Sequence, residues 1–314
     1  MSSESIKSVS QYIEEVCNVT KKCKNFYPIV NEAPLFRGQP DTAFELMPSI
    51  GRGRKSEIDV TILNEERNLI DMAKFRMPSI FTNDLKPVEL LAMLQHHGIP
   101  TRLLDVTENA LVALYFACCD EKCTNKNGEV IVFKDTQRTV GNYPIIEAIA
   151  DTYRLCRGTW IRPKEFFQNA QNMDYFAEQK YLLQLMNNNK RDNKDASFIS
   201  DYDSWLLGIA NNPLFIYAPF TNLRQRMQQG RYILFPNAID KENDTVIIKD
   251  LIRPISKDSE CVVARIQIAA EDKENILREL KFFGISRQTL FPDNVDIVCD
   301  EIKKASYNKI QDKN

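Results

Sequence analysis

Apolar residues recur along this chain at two spacings, which divide it into helices and strands. Val9, Tyr12, Ile13 and Val16 fall on one helical face and predict an amphipathic helix over residues 8–24. The extended segment Ala33-Pro34-Leu35-Phe36, running into Arg37-Gly38-Gln39, predicts a strand that ends in a polar turn. Leu63, Leu69, Ile70 and Ala73 predict a second helix over residues 62–75, stopped before Pro78, with Glu65-Glu66-Arg67 on its solvated face. Pro87 suits a first helical turn, and Leu90, Leu91, Met93 and Leu94 continue that helix until Gly98 and Pro100 end it. Thr107 can cap the next helix, whose Leu111, Leu114, Tyr115 and Cys118 share one face while Val112, Ala113 and Phe116 cover the others. Such a helix must be buried nearly all round.

A short strand, Glu129 to Lys134, follows the turn-forming Lys126-Asn127-Gly128. From about residue 140 to residue 212 the pattern is helical with polar connections. It includes Phe176 to Met186 and Tyr202 to Ala210, with an exposed loop from Asn187 to Lys194. Strand patterning returns at Pro213–Tyr217, Arg231–Phe235, Thr245–Lys249 and Cys261–Ile268, and a helix over Asp272–Phe283 follows. Strands on both sides of a helical stretch predict an α+β fold: one domain over residues 1–314, its sheet joining distant segments, with residues 140–212 as a helical insertion or lobe.

Between the apolar runs of LLAMLQHHGIPTRLLDVTENALVALYFA lies an unbroken polar cluster of His96, His97, Thr101, Arg102, Asp105, Thr107 and Asn109. Burying these groups is costly unless each is paired or used, so the cluster is a structural lock or a site. Both histidines of the chain sit in it, which favours a site. A net charge of −2 argues against a broad nucleic-acid-binding face, which draws its affinity from many cations. Glu4, Glu14 and Glu15 interrupt the N-terminal segment where a signal peptide needs an apolar core, and no apolar run is long enough to cross a bilayer. The expectation is a cytoplasmic protein that does not engage membranes. Eight scattered cysteines read as buried free thiols; Cys118, Cys119 and Cys123 lack the paired CxxC spacing of a zinc site, and no metal is expected.

Phe36-Arg37-Gly38-Gln39, the segment GIPTRLLDVTENALVALYFA, Arg224 with Gln228 and Gly230, and Leu290-Phe291-Pro292-Asp293 together resemble the FRG domain family over about residues 8–295. The resemblance implies a bacterial protein from defence or toxin-like settings. The layout is also similar to that of ADP-ribosyltransferases, with an aromatic-Arg-Gly strand end, a polar turn leading into a small-residue helix, and a third strand opened by a polar residue. This second resemblance implies an ADP-ribosyltransferase-like sheet core with NAD as the cofactor. Arg37 would hold phosphate with Gly38 beside it, the Thr101–Thr107 turn would shape the nicotinamide side, and Gln228 or Gln229 would stand where many transferases carry a glutamate. A neutral amide there cannot ionise, so either Asp105 supplies the negative charge or the fold binds a nucleotide without transferring it.

The candidate catalytic residues are therefore Asp105, Gln228 and His97, and the candidate cofactor-binding residues are Arg37, Gly38, Thr101, Arg102, Thr107 and Gly230. Each has a structural alternative. Arg37 can bridge to the carboxylate of Asp105, and Arg102 can tie the turn to the same residue. His96 can cap a helix while His97, next to Gly98, serves the site, because adjacent helical residues point about 100° apart. Thr101, Asp105 and Thr107 can be turn and cap residues, and Gly230 can open a strand or let a ligand approach. The reading is a nucleotide-binding, NAD-consuming transferase or glycohydrolase. Its rival is a non-catalytic module that senses a nucleotide or binds a protein partner, and a nuclease ranks last.

Overall fold

In a computed structural model the structure describes residues 5–22, 34–52, 61–134, 144–156, 163–177, 211–218, 223–242, 245–292 and 299. The expected helix at Tyr202–Ala210, the loop at Asn187–Lys194, most of Phe176–Met186 and Asp293 lie outside them. Six strands form one antiparallel sheet in the order β4-β5-β2-β1-β3-β8: β1 (Leu35–Gln39), β2 (Leu103–Thr107), β3 (Gly128–Phe133), β4 (Leu214–Ile216), β5 (Gly230–Leu234) and β8 (Val262–Ile268). A separate hairpin pairs β6 (Ile239–Glu242) with β7 (Thr245–Ile248). The fold is α+β, with a sheet that joins segments from both sides of the expected lobe.

Strand alternation sorts the core. Leu35, Leu104, Val106, Ile131, Phe133, Ile233 and Phe235 point to one face, where they pack with Leu46, Ile50, Leu63, Ile252 and Ile255. The other face carries two separate clusters. Over β1 and β3, Phe36, Val130 and Val132 pack under α1 (Val9–Lys22), α4 (Ala110–Cys118) and the helix Lys273–Phe282. Over β2, β5 and β4, Leu103, Tyr232, Leu234, Leu214 and Ile216 pack under α3 (Pro87–His96) and α5 (Pro144–Ala150). The pairs Phe36 with Thr107, Asp105 with Tyr232 and Thr107 with Gly230 place these side chains on that same face, so a gap between the two helical layers opens over the sheet centre.

The small residues of α4 set how closely it lies on the sheet. A Cβ on Gly38 would stand 1.9 Å from the carbonyl oxygen of Ala113, and one on Gly128 would stand 2.4 Å from that of Ala117. Glycine on the strands and alanine on the helix therefore form one contact. Val112, Ala113, Leu114 and Ala117 are fully buried, as the all-round apolar pattern predicts. Asn109, not Thr107, caps this helix: its side-chain oxygen accepts from the amides of Leu111 at 3.0 Å and Val112 at 3.3 Å.

Helix α2 (Glu66–Arg76) follows a 3-10 turn over Ile62–Glu65. Glu66, expected on a solvated face, is only 5% exposed because it receives Arg102. In the expected lobe, α5, α6 (Thr152–Leu155), α7 (Pro163–Ala170) and α8 (Asp174–Ala177) are helical. Among the described residues no helix is long and apolar enough to cross a membrane.

Candidate functional site

The gap between the helical layers is a cleft of about 440 Å³. Its floor is the sheet, through Phe36, Arg37 and Gly38 of β1, Asp105 and Thr107 of β2, and Gly230 and Tyr232 of β5. The end of α3 brings Gln95 and His96, the end of α4 brings Phe116, Cys119 and Asp120, and α9 (Leu223–Met227) with its following turn brings Arg224, Gln225 and Gln228. The volume falls in the range of small-molecule sites.

Asp105 is an exposed aspartate in the middle of a strand that is otherwise buried. Strand interiors disfavour such a residue. It is tolerated because the cleft keeps its carboxylate in water. Among the described residues no hydrogen bond or ion pair engages that carboxylate, whereas its main-chain carbonyl accepts from Nη1 of Arg37 at 2.5 Å. The ladder between β1 and β2 is a single pair, Phe36 with Thr107, while β1 pairs with β3 along its whole length. The Arg37 side chain thus supplies a donor to a strand carbonyl where the β1 backbone has parted from β2. Its Nε is buried without a partner. Burial pulls the guanidinium pKa down to about 10, against the opposing pull of Asp105, so the group stays cationic at neutral pH.

Tyr232, cross-strand from Asp105, has its phenol pKa raised by burial and by that carboxylate. Cys119 is pushed up to about 11, first by burial and then by Asp120, so its thiol is protonated and a weak nucleophile.

Several expected site residues prove structural. Arg102 is 1% exposed and lies outside the cleft. Its Nε donates to Oε1 of Glu66 at 2.8 Å, Nη2 binds Oε2 of the same carboxylate, and Nη1 reaches Oδ1 of Asn237 at 2.9 Å. It is a buried clamp between α2, β2 and the segment after β5, not a partner of Asp105 or a cofactor ligand. Strand alternation explains the correction, since Arg102 shares the face of Leu104 and Val106 and points away from the cleft. Thr101, 1% exposed, also lies outside; its hydroxyl donates to Oε1 of Gln95 and holds that amide at the cleft wall.

The positions expected of the two histidines are reversed. His96 lines the cleft, whereas His97 is the exposed C-cap of α3 with its ring edge on Phe81, 5.8 Å between centroids. The helix turns His97 away by about 100°.

Thr107 lines the cleft, but its hydroxyl donates to the carbonyl of Gln228 at 2.6 Å and accepts from Asn109 N–H at 3.0 Å. The side chain of Gln228 is also engaged, its Nε2 donating to the Leu290 carbonyl at 3.0 Å. The two glycines differ. Gly38 is demanded by α4, whereas a Cβ on Gly230 would meet only Gln225, at an ordinary 3.4 Å, so protein packing leaves the space before Gly230 open. Phe116, Cys119, Asp120 and Tyr232 were not legible as site residues, since each has the pattern of a core or turn residue.

Residues 32–126 match the family model of the FRG domain. The match contains β1, the polar cluster and α4, hence Arg37, His96 and Asp105; it ends before β5 and α9, which contribute Arg224, Gln228 and Tyr232. No curated protein and no solved structure matches the chain. Among the described residues no group of three or more His, Cys, Asp or Glu side chains is placed to hold a metal ion.

Proposed function

We propose that the cleft binds an anionic nucleotide, with NAD as the leading ligand, and that the protein acts as an NAD-consuming effector in a bacterial defence or toxin-like setting. The observation that carries this reading is the pairing, at the cleft floor, of the Arg37 guanidinium, which bridges to β2 through the Asp105 carbonyl where β1 and β2 part, with the Asp105 carboxylate, which no hydrogen bond or ion pair engages among the described residues. Arg37 takes a phosphate oxygen, for which its planar fork is suited. Phe36, Phe116 and Tyr232 offer aromatic surface to a base or to nicotinamide. Asp105 stands where charge develops: as the bond from ribose C1′ to the nicotinamide nitrogen breaks, its electron pair leaves with neutral nicotinamide, and the carboxylate stabilises the ribosyl cation. Water or an acceptor hydroxyl then attacks C1′ and gives up its proton.

A second reading, binding without turnover, is favoured by Gln228. The amide at the expected third element is engaged with the Leu290 carbonyl, and it carries no charge. In that reading the same cleft senses a nucleotide and passes the signal to a protein partner.

Incubation of the purified protein with NAD, with and without cell extract, separates the readings by nicotinamide release and by mass spectrometry of the extract proteins. Release that Asp105→Asn abolishes supports catalysis. Saturable NAD binding without release supports the sensor. Absence of both overturns the nucleotide reading.

A further inference from the structure

Arg224 is a second cation on the cleft wall, contributed by α9 from outside the FRG segment. Among the described residues it has no ion-pair partner. Its guanidinium instead lies over the ring of Phe291, 4.6 Å from the centroid. Such a contact uses the flat face of the guanidinium and leaves the N–H donors, which lie in its plane, free for an anion.

Phe291 is itself held in place. It follows the helix Arg287–Leu290, whose Leu290 is 1% exposed in the core under α4. Its amide donates to the Arg287 carbonyl at 3.0 Å, and its ring meets Phe116, another cleft residue, edge to face at 6.2 Å. Gln228 braces the same junction by reaching from the turn after α9 to the Leu290 carbonyl. The arginine-bearing helix and the aromatic platform are thereby joined at two points.

We propose that Arg224 is the second anion-binding group of the cleft, that it and Arg37 take the two phosphoryl groups of a diphosphate-containing ligand, and that Phe291 is the positioning residue that aims it. The inference rests on the nucleotide reading for the identity of the ligand, and it narrows that ligand from any anion to a diphosphate. Gln228 becomes a brace for the clamp.

Calorimetric titration of the whole protein with inorganic pyrophosphate, inorganic phosphate and NAD tests this. The wild type should prefer pyrophosphate to phosphate by about tenfold or more, and R224Q should lose about tenfold in pyrophosphate affinity together with that preference. F291L should cost about threefold when Arg224 is present and nothing further in the R224Q background, while F291Y should restore binding. An equal loss from F291L in both backgrounds would make Phe291 merely structural and overturn its assigned role. NAD binding that falls with R37K but is unchanged in R224Q keeps the nucleotide reading and overturns the clamp. Arg224-dependent pyrophosphate binding without NAD binding keeps the clamp and overturns NAD as its ligand. No binding of either probe overturns both.

Discussion

Nη1 of Arg37 donates to the main-chain carbonyl of Asp105 at 2.5 Å, across the point where β1 and β2 part. The bond fixes the arginine by a carbonyl and so spares the Asp105 carboxylate. A bidentate pair between the two side chains would have consumed both charges and left the cleft with neither.

Arg37→Lys tests this division of labour. Lysine keeps the charge but reaches one acceptor at a time, so it cannot hold the carbonyl and a ligand phosphate together. Nucleotide affinity should fall about tenfold or more, with little change in melting temperature. A large drop in melting temperature with unchanged affinity would make Arg37 a strand tie and nothing else.

The two cleft glycines should part company under the same substitution. Gly38→Ala places a methyl against the α4 backbone, which cannot yield without lifting the helix off the sheet. A loss of about 3 kcal/mol or failure to fold is expected, at the upper end of overpacking costs. Gly230→Ala should leave stability within about 1 kcal/mol, the scale of strand-propensity differences, and weaken ligand binding by filling open cleft space. Equal stability effects at the two sites would refute the contrast.

Arg102 should behave as a core residue. Removing it in Arg102→Ala leaves Glu66 buried and unpaired, which costs about 3–5 kcal/mol. The double substitution Arg102→Met with Glu66→Leu should cost less than the single one, since no unpaired charge remains. Urea denaturation of the three proteins decides it. A single variant that folds normally but loses ligand would return Arg102 to the site.

The elements most legible in the sequence were those whose polar and apolar residues segregate cleanly. The amphipathic helix at Val9–Lys22, the all-apolar α4 and the strands β3, β5 and β8 lie within a few residues of their expected limits. The polar cluster was visible as a feature, but its division was not. Leu103 to Thr107 is a central strand whose Asp105 faces water inside the molecule, and period-two alternation over five residues with a charge at its centre looks like a turn. Arg102 and Asp105 have similar surroundings in the sequence and opposite fates in the fold, because the partner that claims Arg102, Glu66, is 36 residues away. Tyr232 and Phe116 join the cleft only through long-range pairing and the splay of two helical layers, which no local pattern records.

Gln228→Glu puts a carboxylate where an amide now donates to a carbonyl. The hydrogen bond is lost and two acceptors face each other, so a loss of about 1–3 kcal/mol is expected with no gain in NAD cleavage. Increased cleavage with unchanged stability would instead show that this position serves as the third element of a transferase site.

Glu147 predicts how stability responds to pH. It sits on α5, 3% exposed, and its Oε2 accepts the Val88 amide at 3.0 Å, one of the free N–H groups in the first turn of α3. Burial raises its pKa from 4.5 to about 7, partly offset by the Val88 hydrogen bond and reinforced by nearby Glu89. Between those two values the folded protein binds more protons than the unfolded chain, so the contribution of this group is full below the unfolded pKa and is lost as pH rises through about 7. A shift of that size corresponds to roughly 3 kcal/mol. Glu147→Gln keeps an oxygen to accept the Val88 amide and has no charge to desolvate. The variant should therefore be more stable than the wild type at pH 8 by up to about that amount, with the advantage shrinking as pH falls from 7 and gone near 4.5. Denaturant unfolding of both proteins at several pH values measures the difference directly. An advantage that does not change with pH would show that Glu147 is already neutral throughout or charged throughout, and that α3, whose far end carries Gln95 and His96 to the cleft, is not held by a titrating cap.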